Sequence, residues 1–153
     1  SFKAADLDID AAILRGIRNN ADEFLNPPIT NLGYKGIKKT STEILKWYTS
    51  STDLRGDFSH AAMMMEKAGT GGAIFRNLYR DFLKEAHERL RLDCLIEAHE
   101  RFAVIAAKWS QVSDSFIQIA ETESKAPLFA ASELLAELSV LEQSAMQDLS
   151  DAI

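Results

Sequence analysis

The sequence has little of several features that define common classes of protein. It contains one cysteine, Cys94, in 153 residues, so no internal disulfide can form. A lone thiol is typical of a reducing compartment, and we expect a cytoplasmic protein. No apolar run approaches the ~18 residues that a membrane span needs, and the acidic segment from Phe2 to Ile9 is too short for a secretory signal.

Basic charge is also scarce. The chain has 17 Lys and Arg against 23 Asp and Glu, a formal net charge of −6 and a pI near 5.1. Nonspecific binding to nucleic acid or to an anionic membrane depends on a basic surface, so both partners are disfavoured. With 46% hydrophobic and 26% charged residues, the composition is that of a globular chain, and the length suits one domain over residues 1–153.

The sequence contains no alternating strand pattern, and its apolar residues recur at helical spacing. We therefore predict an all-α, single-domain bundle of about six helices. The first predicted helix starts at Asp8 or Asp10 and stops at Asn26-Pro27-Pro28, the second runs from Tyr34 or Gly36 to Tyr48, and the third runs from Asp57 or Ser59 to Lys67. The fourth runs from a glycine-rich corner to Leu90, the fifth runs from Asp93 to about Glu121, and the last has Pro127 in its first turn.

The strongest helix signal is an apolar stripe after the corner, which we expect to be buried. Its members are Phe75, Leu78, Tyr79, Phe82, Leu83 and Ala86.

Three of the seven glycines lie within four residues at that corner, between two predicted helices. Gly69 suits the end of one helix and Thr70 the cap of the next. The first turn of the second helix would then present free N–H groups and Arg76, which favours an anion site. The candidate anion-binding residues are Lys67, Gly69, Thr70, Gly71, Gly72 and Arg76. The alternative is a purely structural corner, in which the glycines allow close helix packing, and short glycine clusters are common at such corners; the spacing of a P-loop is absent.

A local basic cluster stands out in this acidic chain. Lys35, Lys38 and Lys39 follow one another on the second predicted helix, with Lys46 further along. A solvated helix face is one interpretation, and a docking surface for an acidic partner is the other.

Catalytic and metal-binding patterns are weak. Glutamate and histidine are two residues apart in the related segments Glu85–Arg89 and Glu97–Arg101, whereas a helical carboxylate-bridged metal site has them three apart. Cys94 is predicted in the first turn of a helix, where a thiol pKa can be lowered, but no base or orienting group lies near it in sequence. We therefore expect no metal, no cofactor and a structural role for Cys94.

The run EKAGTGGAIFRNLYRDFLKEA, from Glu66 to Ala86, resembles the C-terminal domain of butirosin biosynthesis protein H and its bacterial relatives, a domain of unknown function. The upstream run NPPITNLGYKGIKK, from Asn26 to Lys39, is similar to an earlier segment of that domain, and Trp109 also matches. The positions that match the central motif are Glu66, Lys67, Gly69, Thr70, Gly71, Gly72, Phe75, Arg76 and Tyr79.

The resemblance implies that this chain is the C-terminal part of a longer protein, which its start at Ser1 without Met also suggests. In the family the domain follows a papain-like cysteine-enzyme domain, which in butirosin biosynthesis belongs to an acyltransferase moving an amino-acyl group from an acyl carrier protein to an amine. The chain would then be an accessory domain that is not itself catalytic. Its partners would be that upstream domain and, through Lys35, Lys38 and Lys39, a carrier protein. The alternative is a freestanding interaction or oligomerisation module.

Overall fold

The computed structural model describes residues 2–66 and 72–153. Those residues form six helices and no strand, which confirms the predicted all-α fold. The helices are α1 (Phe2–Leu25), α2 (Gly33–Ser50), α3 (Leu54–Glu66), α4 (Ala73–Leu90), α5 (Asp93–Thr122) and α6 (Lys125–Ala152). None of the helices in these two ranges is long and apolar enough to cross a membrane.

The two longest helices, α5 and α6, form a central antiparallel hairpin. α5 packs against α3 and α4, and α6 packs against α1 and α2, so the remaining helices cover both sides of the hairpin. The hairpin supplies most of the fully buried large side chains, among them Phe102, Phe116, Leu135 and Leu138. Residues at three- and four-residue spacing on each helix make this one continuous core.

Local sequence explains several helix ends. The pair Pro27-Pro28 stops α1 at Leu25, as predicted. Between α5 and α6, Glu123 adopts a left-handed conformation with φ of 53°, and Ser124 caps α6 by accepting a hydrogen bond from the N–H of Ala126. Gly33 has φ of +61°, and a Cβ there would lie 2.2 Å from the Phe24 carbonyl oxygen. Only glycine therefore allows α2 to begin against the end of α1.

Two predicted helix starts, those of α1 and α3, were wrong. Asp8 and Asp10 lie inside α1, which begins at Phe2 because no proline or glycine interrupts the preceding residues. α3 begins at Leu54, where the carboxylate of Asp53 accepts from the N–H of Gly56, so that Asp57 lies in the first turn. The predicted start of α5 at Asp93 is confirmed, and Leu92 occupies the N-cap position. Aspartate is stabilised throughout a first turn by the helix dipole, so its presence locates a helix start only to within a turn.

The apolar stripe of α4 is only partly buried. Tyr79, Leu83 and Ala86 face α5 and are buried, whereas Phe75 and Leu78 remain 44% and 64% exposed. The stripe is wider than the surface that the neighbouring helices cover. α4 therefore presents an apolar strip, formed by Phe75 and Leu78, on the outside of the domain.

Candidate functional site

Four of the six residues predicted to bind an anion, Lys67, Gly69, Thr70 and Gly71, lie outside the described residues. Gly72 occupies the N-cap position of α4, where we had assigned the cap to Thr70, and its φ of 67° and ψ of −141° suit glycine alone. A Cβ on Gly72 would lie 3.0 Å from the Cβ of Met65. The glycine therefore allows the start of α4 to approach the end of α3 closely.

Arg76, one turn into α4, makes a bidentate ion pair with Glu142 of α6. Its Nε donates to Oε1, and its Nη2 donates to Oε2 at 2.9 Å. The side chain of Glu142 is 1% exposed and that of Arg76 is 11% exposed. Planar side-on pairing of this kind gives a strong, geometrically specific contact between guanidinium and carboxylate.

Trp109 of α5 completes this buried cluster. Its indole Nε1 donates to Glu142 Oε1 at 3.2 Å, and the guanidinium carbon of Arg76 lies 4.8 Å from the centroid of the Trp109 ring. The same carbon lies 5.3 Å from the ring of Phe75. These distances are within the range of cation–π attraction. The cluster thus joins α4, α5 and α6 and holds the guanidinium in one plane.

One edge of the Arg76 guanidinium is not used by Glu142. Arginine carries five N–H donors, and Glu142 takes up the edge formed by Nε and Nη2. Across the described ranges Nη1 has no acceptor. Because Arg76 also lines an open cleft, these donors are available to a molecule that enters it.

The cleft has a volume of about 530 Å³ and lies among α2, α3, α4, α5 and α6. Its walls are mainly apolar and include both tryptophans of the chain, Trp47 and Trp109, together with Met65 and Leu135. Arg76 is the one charged side chain among the described residues that line it. A mostly apolar cavity with few polar groups is the usual form of a small-molecule site.

Two helices begin at this cleft without side-chain caps. Leu32 and Gly33 at the start of α2 line it, as does Gly72 at the start of α4, and neither N-cap residue accepts a side-chain hydrogen bond. The first N–H groups of a helix lack partners within the helix and carry partial positive charge. Both helix ends therefore raise the potential at the cleft.

One of the predicted docking lysines, Lys39, reaches the edge of the same cleft. Lys39 donates from Nζ to the side-chain oxygen of Asn31 at 2.7 Å, and Asn31 lines the cleft. Lys35 and Lys38 are exposed on the same part of α2, and in the part of the chain that the structure describes none of the three lysines pairs with a carboxylate. Lys39 and Arg76, which are distant in sequence, thus border one region.

Sequence reasoning missed Glu142. It lies on α6 in register with Leu138, Ala145 and Leu149, all of which are buried. A carboxylate within an otherwise apolar helical stripe is the signal that could have revealed it, because such a charge is almost never buried without a partner. The partner, Arg76, lies 66 residues away.

Among the described residues, the other reactive side chains form no catalytic arrangement. Cys94 is half-buried in the first turn of α5, and burial raises the pKa of its thiol, opposite to what a helix N-terminus alone would do. His87 and His99 each contact a backbone carbonyl, those of Leu92 and Arg80. Within residues 2–66 and 72–153, no three His, Cys, Asp or Glu side chains are placed to hold a metal ion.

A family model described as a domain of unknown function, DUF4872, matches residues 1–149 of the chain. Comparisons with curated proteins and with solved structures gave no match.

Proposed function

Because this chain belongs to the DUF4872 family, whose description assigns no activity, we propose its function from the cleft and from the sequence resemblance. The chain is the accessory C-terminal domain of a cysteine acyltransferase of the butirosin biosynthesis protein H type, in the cytoplasm. It helps to bind the acyl carrier protein or the acceptor substrate and does not itself catalyse transfer.

The observation that carries this proposal is the cleft beside the glycine corner. The part of the chain with the most family-like sequence, around Gly72 and Arg76, is also the part where an apolar cavity, unfilled guanidinium donors and two uncapped helix starts meet. A substrate group or a phosphopantetheine arm held there would lie at the edge of the domain. An upstream enzyme domain docked at this edge would share it.

The lysines of α2 support the assignment of a carrier protein as partner. Lys35, Lys38 and Lys39 are exposed and form no ion pair with a carboxylate in the described ranges, although the chain as a whole is acidic. Complementary charge accelerates encounter and selects partners, and carrier proteins typically present an acidic surface. These lysines would position the carrier beside the cleft.

The decisive experiment measures transfer of an acyl group from a loaded carrier protein to an amine. It compares the full-length protein, its upstream domain alone, and that domain with this chain added back. We expect the upstream domain to lose activity and the added chain to restore part of it. In the full-length protein, Lys35→Glu with Lys38→Glu should raise the KM for the carrier, because the charge complementarity is reversed.

The matched control is Lys84→Glu, which reverses an exposed charge on α4 outside the lysine cluster. An unchanged transfer rate after removal of the domain would refute the accessory role. Equal effects of the α2 and α4 substitutions would refute docking at the lysines.

One observation favours a second candidate, an interaction or oligomerisation module without a small ligand. Phe75 and Leu78 form an exposed apolar strip, and such strips often mark protein interfaces. If the chain self-associates through it, Leu78→Glu should lower the mass seen in analytical ultracentrifugation. Val140→Glu, at a residue of the same exposure on α6, should not. Equal masses for all three proteins would remove this candidate.

A further inference from the structure

We propose that the cleft binds an unbranched aliphatic carboxylic acid, with its chain along the apolar wall and its carboxylate on the free edge of Arg76. The inference deepens the proposed accessory role, on which it rests for its biological meaning, by naming the class of compound that the cleft takes. The binding itself requires only residues of this chain.

The apolar wall of the cleft is the reason for proposing a ligand with an aliphatic chain. Apolar side chains from four helices line it, among them Ile37, Ala61, Met65, Trp109, Phe116 and Leu135. A volume of about 530 Å³ lies in the usual range for small-molecule sites. Methionine adapts its shape to irregular apolar partners, so this wall suits a flexible hydrocarbon chain better than a rigid polar ring system.

The free edge of the Arg76 guanidinium is the reason for proposing a carboxylate head group on the ligand. Glu142 fixes the plane of the guanidinium from one side, while Nη1 has no acceptor in the described ranges. A carboxylate matches the donors of a guanidinium edge in both spacing and charge. Because Glu142 and Trp109 already hold the guanidinium in place, little further ordering is needed when the acid binds.

The charged groups around the cleft favour an anionic head group over a cationic one. The positive ends of α2 and α4 lie at the cleft, and Lys39 lies at its rim through its hydrogen bond to Asn31. No carboxylate belongs to the described residues that line the cleft. An alkyl ammonium of the same length would face the Nη1 donors of Arg76 and the two positive helix ends, while the Glu142 carboxylate is already paired with Arg76 and Trp109, so the head group decides the affinity.

Tryptophan fluorescence offers a direct measurement, because the sequence has two tryptophans and both line the cleft. Octanoate, decanoate and decylamine are titrated into the 153-residue chain below their micelle concentrations. We expect saturable changes in emission with the two acids. Decanoate should bind about 15-fold more tightly than octanoate, since each buried methylene is worth about fourfold in affinity. Decylamine should bind at least tenfold more weakly than decanoate.

The matched variant is the double substitution Arg76→Met/Glu142→Met. It removes the guanidinium without leaving Glu142 buried and unpaired, and such apolar replacement of a buried pair generally preserves folding. We expect decanoate affinity to fall at least tenfold. The control, Arg80→Met/Asp81→Leu, removes an ion pair of the same helix that does not line the cleft, and it should bind decanoate as the wild type does.

Three results would overturn the inference: no saturable change with decanoate, decylamine binding as tightly as decanoate, or unchanged decanoate affinity in Arg76→Met/Glu142→Met. The outcome is separable from that of the proposed function. Binding without any effect of the domain on acyl transfer would refute only the accessory role, whereas transfer that depends on the domain without decanoate binding would refute only the ligand assignment.

Discussion

The α5–α6 hairpin and the region where α2 and α4 begin are built in opposite ways. In the hairpin, Ser124 caps α6, and two buried serines are hydrogen-bonded: Ser113 donates to the carbonyl of Ala62, and Ser139 donates to that of Tyr34. Where α2 and α4 begin, both helices lack side-chain caps, two glycines have positive φ, and a cleft remains between the helices. The hairpin is densely filled, whereas the region where α2 and α4 begin leaves space open and leaves Nη1 of Arg76 without an acceptor among the described residues.

This difference indicates a division of roles. A dense core with every polar group paired stabilises the fold. Unfilled space and unpaired donors cost stability, so a protein retains them where a ligand or partner completes them. The Arg76–Glu142 pair connects the two regions, because the hairpin carries the carboxylate and the cleft receives the guanidinium.

The largest contrast is expected between two leucines of α6. Leu135 and Leu138 are both fully buried, but only Leu135 borders the cleft. Leu138→Ala should lower the free energy of unfolding by about 4–5 kcal/mol, because it leaves a closed cavity in the hairpin. Leu135→Ala should cost only about 2–3 kcal/mol, because the side chains around the cleft can relax. Urea denaturation measures both values, and equal losses would break the distinction between the two regions.

Removing the carboxylate of Glu142 should be almost as severe. Glu142→Ala leaves the mostly buried guanidinium of Arg76 without its counter-ion and the indole N–H of Trp109 without its acceptor. We expect a loss of about 3–5 kcal/mol. The double variant Arg76→Met/Glu142→Met should lose less, about 1–3 kcal/mol, because it leaves no unpaired charge and only the indole N–H of Trp109 loses its acceptor. If both variants lose the same stability in chemical denaturation, the pair does not connect the regions as described.

Ionisation of Tyr79 makes the free energy of unfolding depend on pH. Its hydroxyl is buried and lacks a hydrogen-bond partner among the described residues, and burial raises its pKa to about 12 from 10.0, against a smaller lowering by the nearby Asn20 side chain. The unfolded chain therefore loses this proton first as the pH rises. The contribution to stability is complete below pH 10 and is lost between about pH 10 and 12, and amounts to about 2–3 kcal/mol.

Other tyrosines and lysines titrate in the same range, so the measurement is the difference between the wild type and Tyr79→Phe. The variant should show the smaller fall in unfolding free energy from pH 9.5 to 11.5. At neutral pH it should be equally stable or slightly more so, because it removes an unpaired buried hydroxyl. Identical pH profiles would show that the Tyr79 hydroxyl is solvated.

Substitution of two glycines by alanine distinguishes the effect of backbone strain on stability from that of helix propensity. Gly72→Ala places a side chain at a φ of 67° and against Met65, which should cost about 1–3 kcal/mol. Gly16→Ala, within α1 and with no atom within 4 Å of the added Cβ, should instead gain about 0.4–1 kcal/mol. Thermal unfolding followed by circular dichroism tests both signs, and a stabilising Gly72→Ala would show that the start of α4 is not constrained.

The smallest expected effect concerns a cap of the hairpin. Ser124→Ala removes the hydrogen bond from the N–H of Ala126 to the Ser124 hydroxyl and should cost about 1 kcal/mol. Leu32→Ser, at the uncapped start of α2, should instead add a cap there at modest gain. A cost in both cases would mean that the start of α2 is already satisfied.

The sequence alone determined the fold class and most of the helices. Apolar spacing is a local property, so the stripes of α5 and α6 identified their buried faces, and Pro27, Pro28 and Pro127 marked helix ends through fixed backbone geometry. Glycine clustering likewise indicated the region around Gly72. These signals need no knowledge of the rest of the chain.

Only the tertiary structure decided which residues meet. The pairing of Arg76 with Glu142 spans 66 residues, the exposure of Phe75 and Leu78 depends on how much of α4 its neighbours cover, and the cleft exists because five helices fail to close over one another. Helical periodicity tells which side of a helix is apolar. It contains no information on which other helix that side contacts, and contacts between distant segments set the charge and shape of the candidate site.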